Sequence, residues 1–150
     1  MGIPTFRYGH EPSNRFATWQ AKFFSNALRE DEVISICTGG IIFTPGSAGT
    51  RQEIFQAACQ NHYAKPGDAC PMIFYGDKFW TDSGVYKLLC ETAKGVEYST
   101  MFLCTDDKQE IESHLLKHAK DFNLILNPTF EEHYWIKHNN HHASNSVNQH

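Results

Sequence analysis

The 150-residue sequence lacks several features that would decide its class at once. No apolar run approaches the roughly 18 residues of a membrane-spanning helix. The first residues, Met1-Gly2-Ile3-Pro4-Thr5-Phe6-Arg7-Tyr8, do not have the charged-then-apolar layout of a signal peptide. There is no excess of positive charge: thirteen Lys and Arg stand against seventeen Asp and Glu, a net −4 with histidines neutral. Nothing therefore draws the whole chain to nucleic acid or to an anionic membrane. No C-x-x-C occurs, and the five cysteines (Cys37, Cys59, Cys70, Cys90 and Cys104) are odd in number and widely spread. A disulfide framework and a structural zinc site are both disfavoured, and a reduced, cytoplasmic protein is expected. No internal repeat is visible.

What is present is globular. The chain is 41% hydrophobic and 20% charged, enough to bury a core. Residues 1–13 read as an irregular lead-in rich in Gly, Pro and aromatics. Ser13 or Asn14 opens a predicted helix to about Asp31, with Phe16, Trp19, Phe23 and Ala27 on one face. The β-branched run Val33-Ile34-Ser35-Ile36-Cys37 suggests a strand, Gly39-Gly40 a break, and Ile41-Ile42-Phe43 a strand again. Ile54, Phe55, Ala58, Cys59 and His62 mark a helix. Met72 to Tyr75 is a strand. Asp82 or Ser83 begins a helix closed by Gly95, with Val85, Leu88, Leu89 and Thr92 inward. Thr100 to Cys104 is a strand, and Asp106 caps a helix carrying Ile111, Leu115, His118 and Phe122. Alternating strands and helices predict an α/β fold, a parallel sheet with helices on both faces. Three strands make it thin, with an open edge. Residues 1–126 form the expected domain and 127–150 a polar, His- and Asn-rich tail, disordered towards its end.

The chemistry concentrates between Ile41 and Tyr63. Pro45-Gly46-Ser47-Ala48-Gly49-Thr50 leaves a strand and enters a helix. Gly46 and Gly49 free the backbone to turn and let a ligand come close. The helix N-terminus favours an anion, Thr50 adds a hydroxyl, and a phosphate is the natural guest. The same glycines would serve an ordinary tight turn equally well. Glu53 follows Thr50 by three residues. It suits a ribose hydroxyl or an attacking water, and it also completes the T-x-x-E pattern of a capping box.

The run Thr44-Pro45-Gly46-Ser47-Ala48-Gly49-Thr50-Arg51-Gln52-Glu53 resembles the PGGxGTxxE motif of the LOG family, once called lysine-decarboxylase-like. The resemblance extends to Pro71–Gly76, the Phe79-Trp80 pair, the helix at 82–94 and the strand ending in Thr105-Asp106, about residues 14–122. It implies a Rossmann-like domain and a phosphoribohydrolase that cleaves nucleoside 5′-monophosphates such as AMP to free base and ribose 5-phosphate, with no metal and no cofactor. It implies catalytic roles for Glu53 and Arg29, the latter sixteen residues ahead of Pro45, with Arg15 and Arg7 as weaker candidates. It assigns the phosphate to Gly46, Ser47, Ala48, Gly49 and Thr50. Arg29 read without the family is a solvated cation at a helix end. Ser47 replaces the motif's second glycine, and the family's N-terminal βαβ half has no counterpart here.

The alternative functions are a non-catalytic nucleotide sensor, a cofactor-carrier module of the same superfamily, and a fragment completed by a partner chain. The aromatic helix expected at 14–30, with the helix at 51–63, suggests a homodimer or pairing with the missing half. The tail histidines (His133, His138, His141, His142 and His150) lack the fixed spacing of a metal site. His10 and His62 are candidates for lining a base pocket, and Cys37 and Cys59 have no partner pattern of a nucleophile.

Overall fold

A computed structural model describes residues 1–6 and 14–118. The expected tail at 127–150, Arg7, His10 and Phe122 lie outside the described residues.

The order is helix α1 (Asn26–Ile36), strand β1 (Ile41–Phe43), helix α2 (Ala48–Tyr63), strand β2 (Met72–Tyr75), helices α3 (Asp77–Asp82) and α4 (Val85–Thr92), a 3-10 turn (Glu97–Met101), strand β3 (Phe102–Thr105) and helix α5 (Lys108–His118). The three strands form one parallel sheet in the order β1-β2-β3. Ile42 sits opposite Ile73, which in turn pairs with Leu103. This is the α/β architecture that the alternation predicts, a three-stranded parallel sheet flanked by helices, and it is consistent with part of a Rossmann-like fold.

The central strand explains why the sheet holds. Successive strand residues point to opposite faces, and Met72, Ile73 and Phe74 are all fully buried. Both faces of β2 are therefore covered, which a parallel sheet requires. Phe74 is the hub on one face. Its ring packs with Phe43 at 5.4 Å, Tyr86 at 5.3 Å, Trp80 at 5.6 Å and Phe102 at 6.5 Å between centroids. The Trp80 indole N–H donates to Tyr75 O at 2.9 Å, so the buried ring carries no orphaned donor. Among the described residues no buried side-chain nitrogen or oxygen lacks a partner.

The beginning of the chain departs from the expected layout. Residues 14–25 do not form a helix. The Asn14 side chain accepts a bond from Phe16 N at 3.0 Å and the Asn14 carbonyl one from Ala17 N, which makes one local turn. The segment then runs beside residues 2–6 with parallel bridges Gly2 to Gln20 and Thr5 to Phe23. Backbone bonds such as Gly2 N to Trp19 O (2.7 Å) and Phe6 N to Phe23 O (2.9 Å) replace helical ones. Phe16 and Trp19, placed on the core face by periodicity, are 81% and 69% exposed. The helix begins instead at Asn26 and continues through Val33–Ile36, the run expected as a strand. Ile34 supplies its buried apolar contact and Glu30, one turn earlier, its buried polar one.

Smaller corrections follow from burial. On α2 the buried side is Ile54, Ala57, Ala58 and Asn61, while Cys59 and His62 are exposed. Asn61 earns its place by bracketing Cys70: its amide N–H2 donates to Cys70 O and its carbonyl accepts from Cys70 N, both at 2.8 Å. On α4 Val85 and Leu89 are buried, whereas Leu88 and Thr92 face outward. The helix expected from Asp82 or Ser83 is α4, which begins at Val85, and a further short helix, α3, precedes it. Asp107, not Asp106, caps α5, accepting from Gln109 N at 2.8 Å. No helix among the described residues is long and apolar enough to cross a membrane.

Candidate functional site

In open α/β sheets ligands sit outside the carboxyl ends of the strands. Here those ends lie together. Asp106, just after β3, accepts hydrogen bonds from Gly76 N (2.7 Å) and Asp77 N (3.1 Å), just after β2. Gly76 has a φ of 102°, which glycine adopts without strain. A Cβ there would also stand 2.8 Å from Pro45 Cγ, in the loop after β1. A wide, open hollow of about 620 Å³, bordered by Gly76, Lys78, Phe79 and Asp106, adjoins these turns.

The loop after β1 reaches α2 sooner than its glycines suggest. The helix begins at Ala48, with Ser47 at its N-cap and no side-chain cap bond. The N–H groups of Ala48, Gly49 and Thr50 thus precede the first intrahelical bond, Arg51 N to Ser47 O at 3.2 Å. Such groups form a positive end. Neither Gly46 nor Gly49 takes a positive φ, so neither is required by the turn. Their value is space. A Cβ on Gly46 would lie 2.8 Å from Thr50 Cβ. A Cβ on Gly49 would have a single neighbour within 4 Å, the Glu30 carboxylate, at 4.0 Å.

Because α2 starts at Ala48, Glu53 falls in its second turn, and the capping box with Thr50 is not made. Glu53 turns instead to α1. Its Oε1 lies 3.1 Å from Arg29 Nη2, and both side chains are only about a quarter exposed or less, at 26% and 21%. Arg29 is in the first turns of α1 rather than at a solvated helix end. Its Nε donates to Asn26 Oδ1 at 3.0 Å. Burial pushes the Glu53 carboxyl up; Arg29 opposes the shift and Glu30 adds to it. Arg15 is elsewhere engaged, with its guanidinium 5.0 Å from the centre of the Phe16 ring.

Three residues of this cluster were not singled out in the sequence: Asn26, Glu30 and Gln52. Glu30 is 1% exposed. Its Oε1 accepts from Asn26 Nδ2 at 2.5 Å and stands 3.6 Å from Arg29 Nη2; its Oε2 accepts from Gln52 Nε2 at 2.6 Å. One turn further on, Gln56 bonds Asp31 and continues the polar seam between the two helices. The spacing Asn26-x-x-Arg29-Glu30 puts these groups on neighbouring sides of a helix. The helix expected to about Asp31 carries the same spacing, whereas the pairing of Glu30 with Gln52 of α2 leaves no local signal.

At the opposite end of the sheet a second hollow of about 170 Å³ is bordered by Cys37, Asn61 and Cys70. Burial pushes both thiols up, Cys70 to about 11. Neither is a thiolate at neutral pH, so neither is an activated nucleophile. No group of three or more metal-ligating side chains lies together among the described residues.

Neither a family model nor a curated protein matches the chain.

Proposed function

We propose that this is a LOG-like nucleotide-binding protein that hydrolyses the N-glycosidic bond of a nucleoside 5′-monophosphate such as AMP. The observation that supports it best is the Arg29–Glu53 contact beside the uncapped N-terminus of α2. The phosphate rests on the N–H groups of Ala48, Gly49 and Thr50, with Gly46 and Ser47 forming the wall. Binding there holds the ribose at a fixed distance from Glu53. Glu53 accepts a proton from water as its oxygen bonds to C1′. The C1′–N bond breaks, the base leaves with the electron pair and takes up a proton from solvent, and Glu53 returns to solvent the proton it took from water. Arg29 orients Glu53 and steadies the departing charge. A carboxylate whose pKa is raised is the stronger base.

The products are free base and ribose 5-phosphate, and no metal or cofactor enters the reaction. Exposed Phe16, Trp19 and Phe24 favour self-association as part of the same reading.

The test is release of adenine from AMP. Glu53→Gln is expected to lower kcat by about 10²-fold or more and to leave AMP affinity nearly unchanged, because the group acts in the transition state. Equal affinity for AMP and adenosine would remove the phosphate role. AMP binding without base release in the wild-type protein would leave a nucleotide sensor.

A further inference from the structure

Glu30 is a carboxylate taken almost wholly out of water, in a position where an apolar side chain would bury at lower cost. A charge is kept in such a place only with partners, and it has three. Asn26 and Gln52 donate to its two oxygens, and Arg29 Nη2 stands 3.6 Å away. That same Nη2 is the atom that meets Glu53 at 3.1 Å. Arg29 is therefore shared between a buried carboxylate and a partly exposed one, and Asn26 holds its Nε as well.

We propose that Glu30 is a positioning residue: it anchors Arg29 from the buried side, so that Glu53 can release the guanidinium and take a proton while Arg29 stays in place. The inference rests on the phosphoribohydrolase reading for its reaction, and on the Asn26–Arg29–Glu30–Gln52 geometry for its anchor. With Glu53 as the only anion on Arg29, each protonation of Glu53 would leave the arginine free to swing away. With Glu30 behind it, the cation keeps a carboxylate at every stage. The charges acting on the Glu53 carboxyl both come from α1, Arg29 lowering its pKa and Glu30 raising it after the larger effect of burial. Among the described residues, no charged side chain of α4 or the sheet adds to them.

Three measurements test the anchor. In Glu30→Gln, kcat for AMP is expected to fall by about 10²-fold, the scale of a misplaced catalytic group, with KM changed by less than about threefold. The acid limb of the kcat profile is expected to move to lower pH, because removing a negative charge beside Glu53 lowers its pKa. Glu30→Asp keeps the charge and is expected to return the limb towards its wild-type position. A Glu30→Gln protein with a lower Tm but an unchanged limb and unchanged kcat per folded molecule overturns the proposal, leaving Glu30 a structural group. The third measurement needs no change at Glu30 and no turnover. In Glu53→Gln the Arg29 guanidinium is expected to stay rotationally restricted by nitrogen-15 NMR, and free rotation there overturns the anchor. Wild-type protein that hydrolyses no nucleotide refutes the hydrolase reading alone, since the NMR result still decides whether Glu30 holds Arg29.

Discussion

The two glycines between Pro45 and Thr50 are alike in the sequence and different in their surroundings. Gly46 faces Thr50, and an added methyl would lie 2.8 Å from Thr50 Cβ, in a short branched side chain that is itself fixed on a helix. Gly46→Ala is expected to destabilise the protein by about 1–3 kcal/mol, the usual cost of overpacking, measured by urea unfolding. Gly49 is helical, has no positive φ and has open space on its Cα. Gly49→Ala is therefore expected to leave stability unchanged or to raise it by about 0.5 kcal/mol. If the open space receives a phosphate, the same substitution weakens AMP binding. Gain of stability with loss of affinity is the signature that separates a ligand site from a turn. Gly49→Ala with AMP affinity unchanged removes Gly49 from the site.

The elements show where the sequence was legible. Met72–Tyr75 was read to the residue, because a short β-branched and aromatic run between Pro71 and Gly76 has no competing interpretation. Ile41–Phe43 and α2 were found for similar reasons, a glycine break before one and a clear boundary at Pro45–Ser47 before the other. The stretch from Asn14 to Cys37 was not. Its aromatic spacing fits a helix, but residues 2–6 supply backbone partners from eighteen positions away, and local patterning carries no trace of a non-local pairing. The helix expected to Asp31 already holds Asn26, Arg29 and Glu30 at helical spacing, but the pairing of Arg29 with Glu53 and of Glu30 with Gln52 is a contact between two helices, which local patterning does not show. Asp106 was likewise read as a helix cap. It braces the turn after β2, leaving two backbone N–H groups dependent on it. Asp106→Ala is expected to cost about 1 kcal/mol, the loss of a cap-like carboxylate, with the midpoint of urea unfolding as the readout.

A pH dependence belongs to α5. The His114 and His118 rings are 4.6 Å apart, and His114 Nε2 lies 3.0 Å from Met101 O. His118 is held below its ordinary value of 6.5 by burial, then by His114 and Lys117. A histidine lowered in the folded state binds fewer protons there than when unfolded, so stability falls as pH drops below about 6.5 and returns above it. The protection of amides in the last turn of α5, taken relative to the intrinsic exchange rate at each pH, is expected to fall on acidification from pH 7 to 5, and His118→Gln is expected to flatten that response. Identical profiles for both proteins would place the acid sensitivity elsewhere.

At the scale of the whole molecule, the distribution of aromatic surface is what remains unbalanced. Phe74, Trp80 and Tyr98 are inside, yet Phe16, Trp19 and Phe24 are between 69% and 81% exposed, all within one ten-residue stretch. Phe24 stacks on Phe6 at 4.7 Å, and Lys22 Nζ lies over the Phe6 ring at 4.5 Å from its centre. Large rings ordered at the surface in this density mark a contact face more often than a free one. The segment leads directly into α1, which carries Arg29 and Glu30 three to four residues into the helix. Association through residues 16–24 would therefore stiffen the N-terminal turn of α1 and the anchor of Arg29 with it. A melting temperature that rises with protein concentration, and a dimer by sedimentation at micromolar concentration, are the expected results. Trp19→Asp places a charge in that contact face. It is expected to shift the protein to monomer and to lower AMP turnover together, though Trp19 touches no substrate. A monomer whose melt is cooperative and independent of concentration would refute the association. A Trp19→Asp monomer with full turnover would show that the site is held without it.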